Sequence, residues 1–366
     1  MHNSTAAQRL PAELRFGAEL AALALADSGP RPAGWRLSPR AARTFILGSG
    51  SAPAGGPTIA RKIHGNDALV ERAIVTLAGQ RGLMLAGEPG TAKSLLSELL
   101  AAAISGNTTI SVQGGAGVVE EQIRYGWNYA LLLRDGPGNA ALVPGPLHRA
   151  MQGGLLLRFE EITRCATEVQ DCLVPVLSER LLQIPELKDQ QPYLLAQPGF
   201  NVIASANLRD RGVNEMSAAL KRRFNFETMQ PLENVATQVA LIGDEVRREL
   251  QAGAIGVLVP PDVLTLLATV FQELRAGAVE GIVIERPGTV LSTAQAISVV
   301  CDAASQCWYF GETTLRPAHV ARYLLGTVIQ DDQEDRRRFG EYLRIVAKKR
   351  SLRADWVDFV AGAREA

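Results

Sequence analysis

The sequence predicts an α/β fold, a phosphate-loop core on a parallel, helix-covered sheet, followed by an all-helical domain. Three observations carry this. Between residues 82 and 206, short apolar runs the length of buried strands alternate with helical stretches. The first run leads into a glycine-rich loop, which a strongly helical segment follows. Past Pro231 the strand signals fade while helical periodicity continues.

Taken in order, residues 1–58 read as an N-terminal helical extension and a linker. The stretch Phe16–Ala26 is interrupted by Glu19, preceded by Glu13 and Arg15, and too short to span a bilayer. It reads as part of an amphipathic helix with Leu10, Leu14, Ala18, Ala21 and Leu25 on one face. "GPRPAGW" and "GSGSAPAGGP" are linker-like and bracket "RLSPRAARTFILG". From residue 59 the pattern changes. "NDALVERAIVTLAGQ" predicts a helix with Asn66 or Asp67 as its cap. "GLMLAG" (82–87), "TTISVQ" (108–113), "GLLLRF" (154–159) and "FNVIASA" (200–206) predict strands. Helices are expected over 232–251, 261–276, 291–307 and 317–328, with a charged helical tail from about Asp331. The organisation expected is a nucleotide domain over 59–230, a helical lid over 231–330 and a tail over 331–366.

Composition narrows the function classes. The 366 residues suffice for two or three domains, and 47% apolar residues supply a sizeable core. Lys+Arg and Asp+Glu number 38 each, which argues against a globally basic nucleic-acid binder and leaves open a local basic channel. Nothing reads as transmembrane, so a cytoplasmic protein without membrane contact is expected. Cys165 and Cys172, seven apart, are expected on one helix face. Cys301 and Cys307 lack metal-ligand spacing, and all four cysteines read as reduced core thiols.

The chemistry begins at "GEPGTAKS": Gly87, Glu88, Pro89, Gly90, Thr91, Ala92, Lys93 and Ser94. Such a loop turns successive backbone N–H groups toward phosphates, and the helix after it adds a favourable dipole. Lys93 is placed to reach β- and γ-phosphate oxygens and Ser94 to ligate Mg²⁺. Ala92 stands where a glycine is usual; it costs something only if that position needs a positive φ. Downstream, "LLLRFEEITR" ends an apolar strand in Glu160 and Glu161. In this place the first carboxylate holds Mg²⁺, generally through water, and the second polarises the attacking water. Glu160 is one methylene longer than the usual aspartate. Because Mg²⁺ keeps several waters, the extra length can be absorbed.

"GEPGTAKS" resembles the phosphate loop of MoxR-like AAA+ ATPases, in which alanine before the lysine is ordinary. The resemblance spans about residues 59–330 and implies a working ATP site with Mg²⁺. It implies further that Asn207, ending "VIASAN", is a sensor 1 residue near the γ-phosphate. In "ALKRRFNF", Arg223 matches a finger arginine reaching the neighbouring subunit's nucleotide, with Arg222 the alternative; a guanidinium suits that task by its permanent charge and fork. Arg209 and Arg211 lie between these elements. The lid helix, which in this family carries a sensor 2 arginine, has Thr293 at that place, with Arg286 displaced. Base contacts are expected near Ile63, His64 and Gly65.

Two inserts resemble those of the MoxR and McrB-like branch: a helix-2 insert at about 114–150 and a pre-sensor-1 hairpin at about 180–199. Tyr125, Trp127 and Tyr129 in the first either grip a client or form a packed aromatic cluster. The resemblance implies an ATP-driven homo-oligomer, a hexameric ring, remodelling a protein partner and working with a von Willebrand A-domain protein. The alternatives are a nucleic-acid-linked NTPase or McrB-like GTPase, tested by salt-dependent DNA or RNA binding, and a non-hydrolysing nucleotide-dependent scaffold.

Overall fold

The structure, a computed structural model, describes residues 9–50, 58–187, 191–207, 213–232, 234–288, 291–329 and 332–365. The chain divides into two compact units: residues to Gln230, and residues from Pro231, with Pro89–Thr91 counted to the second.

The first unit opens with α1 (Ala12–Arg15), α2 (Gly17–Ala26), α3 (Pro39–Leu47) and α4 (Asp67–Ala78). Helix α3 starts where local chemistry dictates. Ser38 accepts the Ala41 N–H, Pro39 fills the first turn, and Asp27 takes both the Ser38 amide and hydroxyl at 2.6 Å. Then follow β1 (Gly82–Ala86), α5 (Lys93–Ile104) and β2 (Ser111–Gln113). The first insert holds α6 (Glu120–Ile123), β3 (Tyr125–Trp127), α7 (Tyr129–Asp135), β4 (Leu142–Pro144) and α8 (Pro146–Gly153), with β3 and β4 paired as an antiparallel ribbon. Strand β5 (Leu156–Glu160) precedes a single 3-10 turn at Ile162–Arg164, then α9 (Thr167–Asp171) and α10 (Leu173–Glu179). The ribbon β6 (Leu181–Gln183) and β7 (Tyr193–Leu195) forms the hairpin expected there, before β8 (Asn201–Ala206), α11 (Ala218–Lys221) and β9 (Phe224–Thr228).

The main sheet has five strands in the order β2-β5-β8-β1-β9, all parallel. Side-chain alternation divides its core in two. Leu83, Leu85, Leu156 and Ile203 face one side, with α3, α4 and α5. Met84, Leu157, Phe159, Val202 and Ala204 face the other, with α8, α10 and the inserts. A sheet buried on both faces explains why its strands read as continuous apolar runs.

Several expectations change here. Residues 9–50 were expected as an extension and linker, but Trp35, Leu37, Phe45 and Ile46 are buried in the same core cluster as Leu83 and Leu99. The expected face of the first helix is turned to solvent: Leu14 is 57% and Leu25 91% exposed. The inward stripe is instead Ala12, Phe16, Leu20 and Leu23, spaced four, four and three, and it runs unbroken through Phe16, whose amide donates to the Ala12 carbonyl and whose carbonyl accepts from Leu20. Cys165 and Cys172 do not share a helix; they flank α9 and are both buried. Strand β9 was not expected at all. Residues 51–57 lie outside the described residues.

The second unit contains α12 (Val235–Ala252), α13 (Pro261–Ala276), a minimal ribbon of β10 (Ala278–Val279) and β11 (Ile282–Val283), α14 (Thr293–Tyr309), α15 (Pro317–Val328), α16 (Gln333–Lys349) and α17 (Ala354–Glu365). One core joins them, and it includes Phe339, Tyr342, Trp356 and Phe359. The tail expected from residue 331 is therefore packed into the helical unit. No helix among the described residues is long and apolar enough to cross a membrane.

Candidate active site

The carboxyl ends of three adjacent parallel strands assemble the site, where ligands of open α/β sheets bind. Ala86 of β1 leads into Gly87, β5 ends at Glu160, and Asn207 directly follows Ala206 of β8. Ala86 pairs with Ala206 in register.

The loop is shaped by backbone sign. Gly90 has φ 74° and Ala92 φ 66°. Ala92 therefore does occupy a left-handed conformation, one that costs a non-glycine residue about 1–2 kcal/mol. Lys93 bends back over the loop, and its Nζ donates to the carbonyls of Gly87 at 2.9 Å and Glu88 at 2.7 Å. Burial lowers the Lys93 pKa, opposed by the charges of Glu161, Glu160 and Glu88.

Glu160 is buried, and each of its oxygens takes two donors. Oε2 accepts from the Ser94 hydroxyl at 3.0 Å and the Ser205 hydroxyl at 2.7 Å. Oε1 accepts from Ser97 Oγ at 2.5 Å and Arg158 Nη2 at 2.9 Å. Burial pushes its pKa up, but the bonds from Ser97, Ser205 and Ser94 and the Arg158 charge outweigh it and hold the group below the usual carboxylate range. Ser94 Oγ and Glu160 Oε2 form a pair of hard oxygens at the mouth of the loop, a donor set suited to Mg²⁺.

Glu161 adopts φ 52°. Its amide donates to Ser205 Oγ at 3.0 Å, and its half-exposed carboxylate pairs with Arg164 Nε at 2.5 Å. The structure thus brings the two acidic residues, the loop and Asn207 to one sheet edge.

The two arginines of the "KRRF" element differ. The Arg223 carbonyl accepts from Gly82 N, while its guanidinium donates to Ser178 Oγ at 2.9 Å and the Ala219 carbonyl at 3.0 Å. Arg222 is exposed and has no side-chain hydrogen bond or ion pair among the described residues. Arg209 and Arg211 lie outside those residues. Ile63 is buried; Ile63, His64 and Gly65 form the approach to α4, with Gly65 at φ 77°.

Thr293 opens α14 behind its Ser292 cap and accepts from Gln238 Nε2 at 3.3 Å, whereas Arg286 donates to the Ala276 carbonyl. In the insert, Tyr125 and Trp127 pack edge to face at 6.1 Å, and Tyr125 donates to Glu186 at 3.0 Å. Tyr129 alone of the three is exposed, at 75%.

Sequence reasoning missed Arg158, Ser97 and Ser205. The signal was periodicity. Arg158 is two residues before Glu160 on one strand face, Ser97 is one helical turn past Ser94, and Ser205 lies on the neighbouring strand.

Comparison with known proteins agrees with this geometry. Residues 82–224 match a family model described as AAA domain (dynein-related subfamily), and residues 236–357 match the YehL-like AAA+ ATPase C-terminal domain. The chain is 48% identical to the protein YehL of Escherichia coli (strain K12), over 92% of this chain and 91% of that one. It is 29% identical to protein SH1500 of Staphylococcus haemolyticus (strain JCSC1435), over 39% of this chain and 53% of that one. Among solved structures it is similar to NtrX from Brucella abortus, with 15% identity, TM-score 0.47, and coverage of 82% of this chain and 67% of that one. The fold, the assembled site and the two family-model matches define an AAA+ ATPase. The chain belongs to the YehL-like family of AAA+ ATPases.

Proposed function

We propose that the chain hydrolyses ATP with Mg²⁺ and couples that hydrolysis, within a homo-oligomeric ring, to remodelling a protein partner, in the manner of MoxR-like ATPases. The supporting observation is the Ser94–Glu160 contact at 3.0 Å beside the loop, with Glu161 next in sequence and Asn207 on the adjoining strand. Bound at Ser94 and Glu160, Mg²⁺ would neutralise charge on the β- and γ-phosphates.

The chain's own residues divide the remaining work. Backbone N–H groups of the Gly87–Ser94 loop, all but Pro89, cradle the phosphates, and Lys93 exchanges its two loop carbonyls for phosphate oxygens. Glu161 orients the attacking water and accepts its proton, for which its carboxylate must turn away from Arg164. Asn207 holds the water near the γ-phosphate. An arginine from a neighbouring copy, Arg222 or Arg223, stabilises charge in the transition state. A hexamer and a von Willebrand A-domain partner belong to this proposal through the MoxR-like motifs.

Phosphate release in the presence of Mg²⁺ and ATP tests it. Glu161→Gln should bind ATP like the parent and release almost no phosphate, while Lys93→Ala should lose ATP binding itself. A Glu161→Gln protein turning over at the parental rate would show that another group activates the water.

A further inference from the structure

We propose that Arg158 is a positioning residue for Glu160: it ties back one carboxylate oxygen so that the other faces Ser94 as a single-geometry metal ligand. The inference rests on the reading of Ser94 and Glu160 as Mg²⁺ ligands.

The argument begins with the strand. Residues 158 and 160 of β5 share a face, and that face meets α5, which carries Ser94 and Ser97. Arg158 is largely buried there. Its Nη2 donates to Glu160 Oε1 at 2.9 Å, its Nε to Ser97 Oγ at 3.0 Å, and its Nη1 to the Thr108 carbonyl at 3.1 Å. Ser97 Oγ accepts from Arg158, and its single proton has two acceptors within reach, Glu160 Oε1 at 2.5 Å and the Ser94 carbonyl at 3.0 Å; the shorter contact, to the charged carboxylate, takes it. Arg158, Ser97 and Oε1 thus close a triangle of hydrogen bonds with consistent donor directions.

The opposite oxygen is held differently. Ser205 accepts the Glu161 amide and turns its hydroxyl proton to Oε2, and Ser94 supplies the second donor. Of the four bonds on the carboxylate, only the one from Ser94 involves a residue expected to ligate the metal. A cation arriving between Ser94 Oγ and Oε2 therefore displaces one bond and leaves three. The longer arm of glutamate brings an extra torsion that would scatter the ligand oxygen. Arg158 and Ser97 remove that freedom. Aspartate, one methylene shorter, would not span from the Oε1 donors to Ser94. Arg158 and the glutamate at 160 thus form one device.

Outer partners of metal ligands are worth about 10–100-fold in metal affinity. The test is Mn²⁺ binding by the full chain with a non-hydrolysable ATP analogue, read from the paramagnetic resonance of free Mn²⁺. Arg158→Met should weaken Mn²⁺ about tenfold, whereas a purely structural arginine would lower melting temperature and leave Mn²⁺ affinity unchanged. Wild-type Mn²⁺ affinity in Arg158→Met overturns the proposal. If that variant does not fold, Ser97→Ala decides. It removes the other donor to Oε1, so a comparable loss supports the proposal and wild-type affinity overturns it. In a Glu160→Asp background, Arg158→Met should change affinity by less than about twofold, because the shortened carboxylate no longer reaches the arginine; losses that multiply would overturn the coupling. Glu160→Gln keeps the two failures apart. Undiminished Mn²⁺ affinity there would remove Glu160 from the metal site itself.

Discussion

At the scale of single residues, the site is built from conformations that side chains normally avoid. Ala92 and Glu161 both have positive φ without being glycine, and such strain persists only where surrounding structure holds it. At Ala92 the strain has a measurable size. Glycine would adopt φ 66° freely, gaining about 1–2 kcal/mol, while its looser unfolded chain returns about 0.4–1 kcal/mol. Ala92→Gly should therefore stabilise the first unit by up to about 1.6 kcal/mol and leave ATP affinity unchanged. Urea unfolding checks this, and a destabilised variant would show that Ala92 makes contacts worth more than its strain. Glu160 teaches a related lesson. From the sequence alone its extra methylene reads as slack, yet in the structure four donors take it up.

Elements differ in how clearly the sequence announced them. Strands β1, β5 and β8 stood out because burial on both faces makes their runs mostly apolar, with the polar residues of β5 and β8 few. The helices α12, α13, α14 and α15 fall within a few residues of their expected spans, since amphipathic periodicity over a dozen residues is a strong signal. Strand β9 escaped notice. "FNFET" mixes polar and apolar residues at the edge of the sheet and follows directly on the arginine pair. The N-terminal segment escaped for another reason: residues 29–57 are rich in Gly, Pro, Ala and Ser, while the large residues that anchor them, Trp35, Leu37 and Phe45, are widely spaced. Its role is testable. Phe45 is fully buried, packs edge to face with Phe16 and lies beneath the Lys62 ammonium. Phe45→Ala should cost about 3–5 kcal/mol and lower the melting temperature of the nucleotide unit. A change within about 0.5 kcal/mol would mean that residues 9–50 are dispensable to that core.

For the whole molecule, the decisive question is the ring, and the two arginines give a way to ask it. Arg223 is engaged within its own chain by Ser178 and Ala219, and Arg222 is exposed. An arginine acting on a neighbour needs an uncommitted guanidinium, which favours Arg222 over the Arg223 that motif matching prefers. Arg222→Ala should keep ATP affinity and lose turnover by about 10³-fold or more; Arg223→Ala should retain more activity. Mixing Arg222→Ala with Lys93→Ala subunits should recover activity, because an intact loop from one meets an intact arginine from the other. Steady-state phosphate release reads all three. Full turnover in Arg222→Ala with a dead Arg223→Ala would return the role to Arg223.

Helix α7 of the first insert has a consequence of its own. It is seven residues long, buries none of them, and leaves Tyr129 and Leu133 75% and 89% exposed. Its first turn is fastened by Asn128 accepting the Leu131 amide at 3.2 Å. Helices this short are marginal in water without tertiary support. Opening α7 alone therefore requires far less free energy than opening the sheet beside it. In deuterated buffer, amides of residues 132–135 should exchange orders of magnitude sooner than those of β1 and β8. Any partner that seizes Tyr129 and Leu133 would register first as a slowing of that local clock, before the rest of the molecule recorded the encounter.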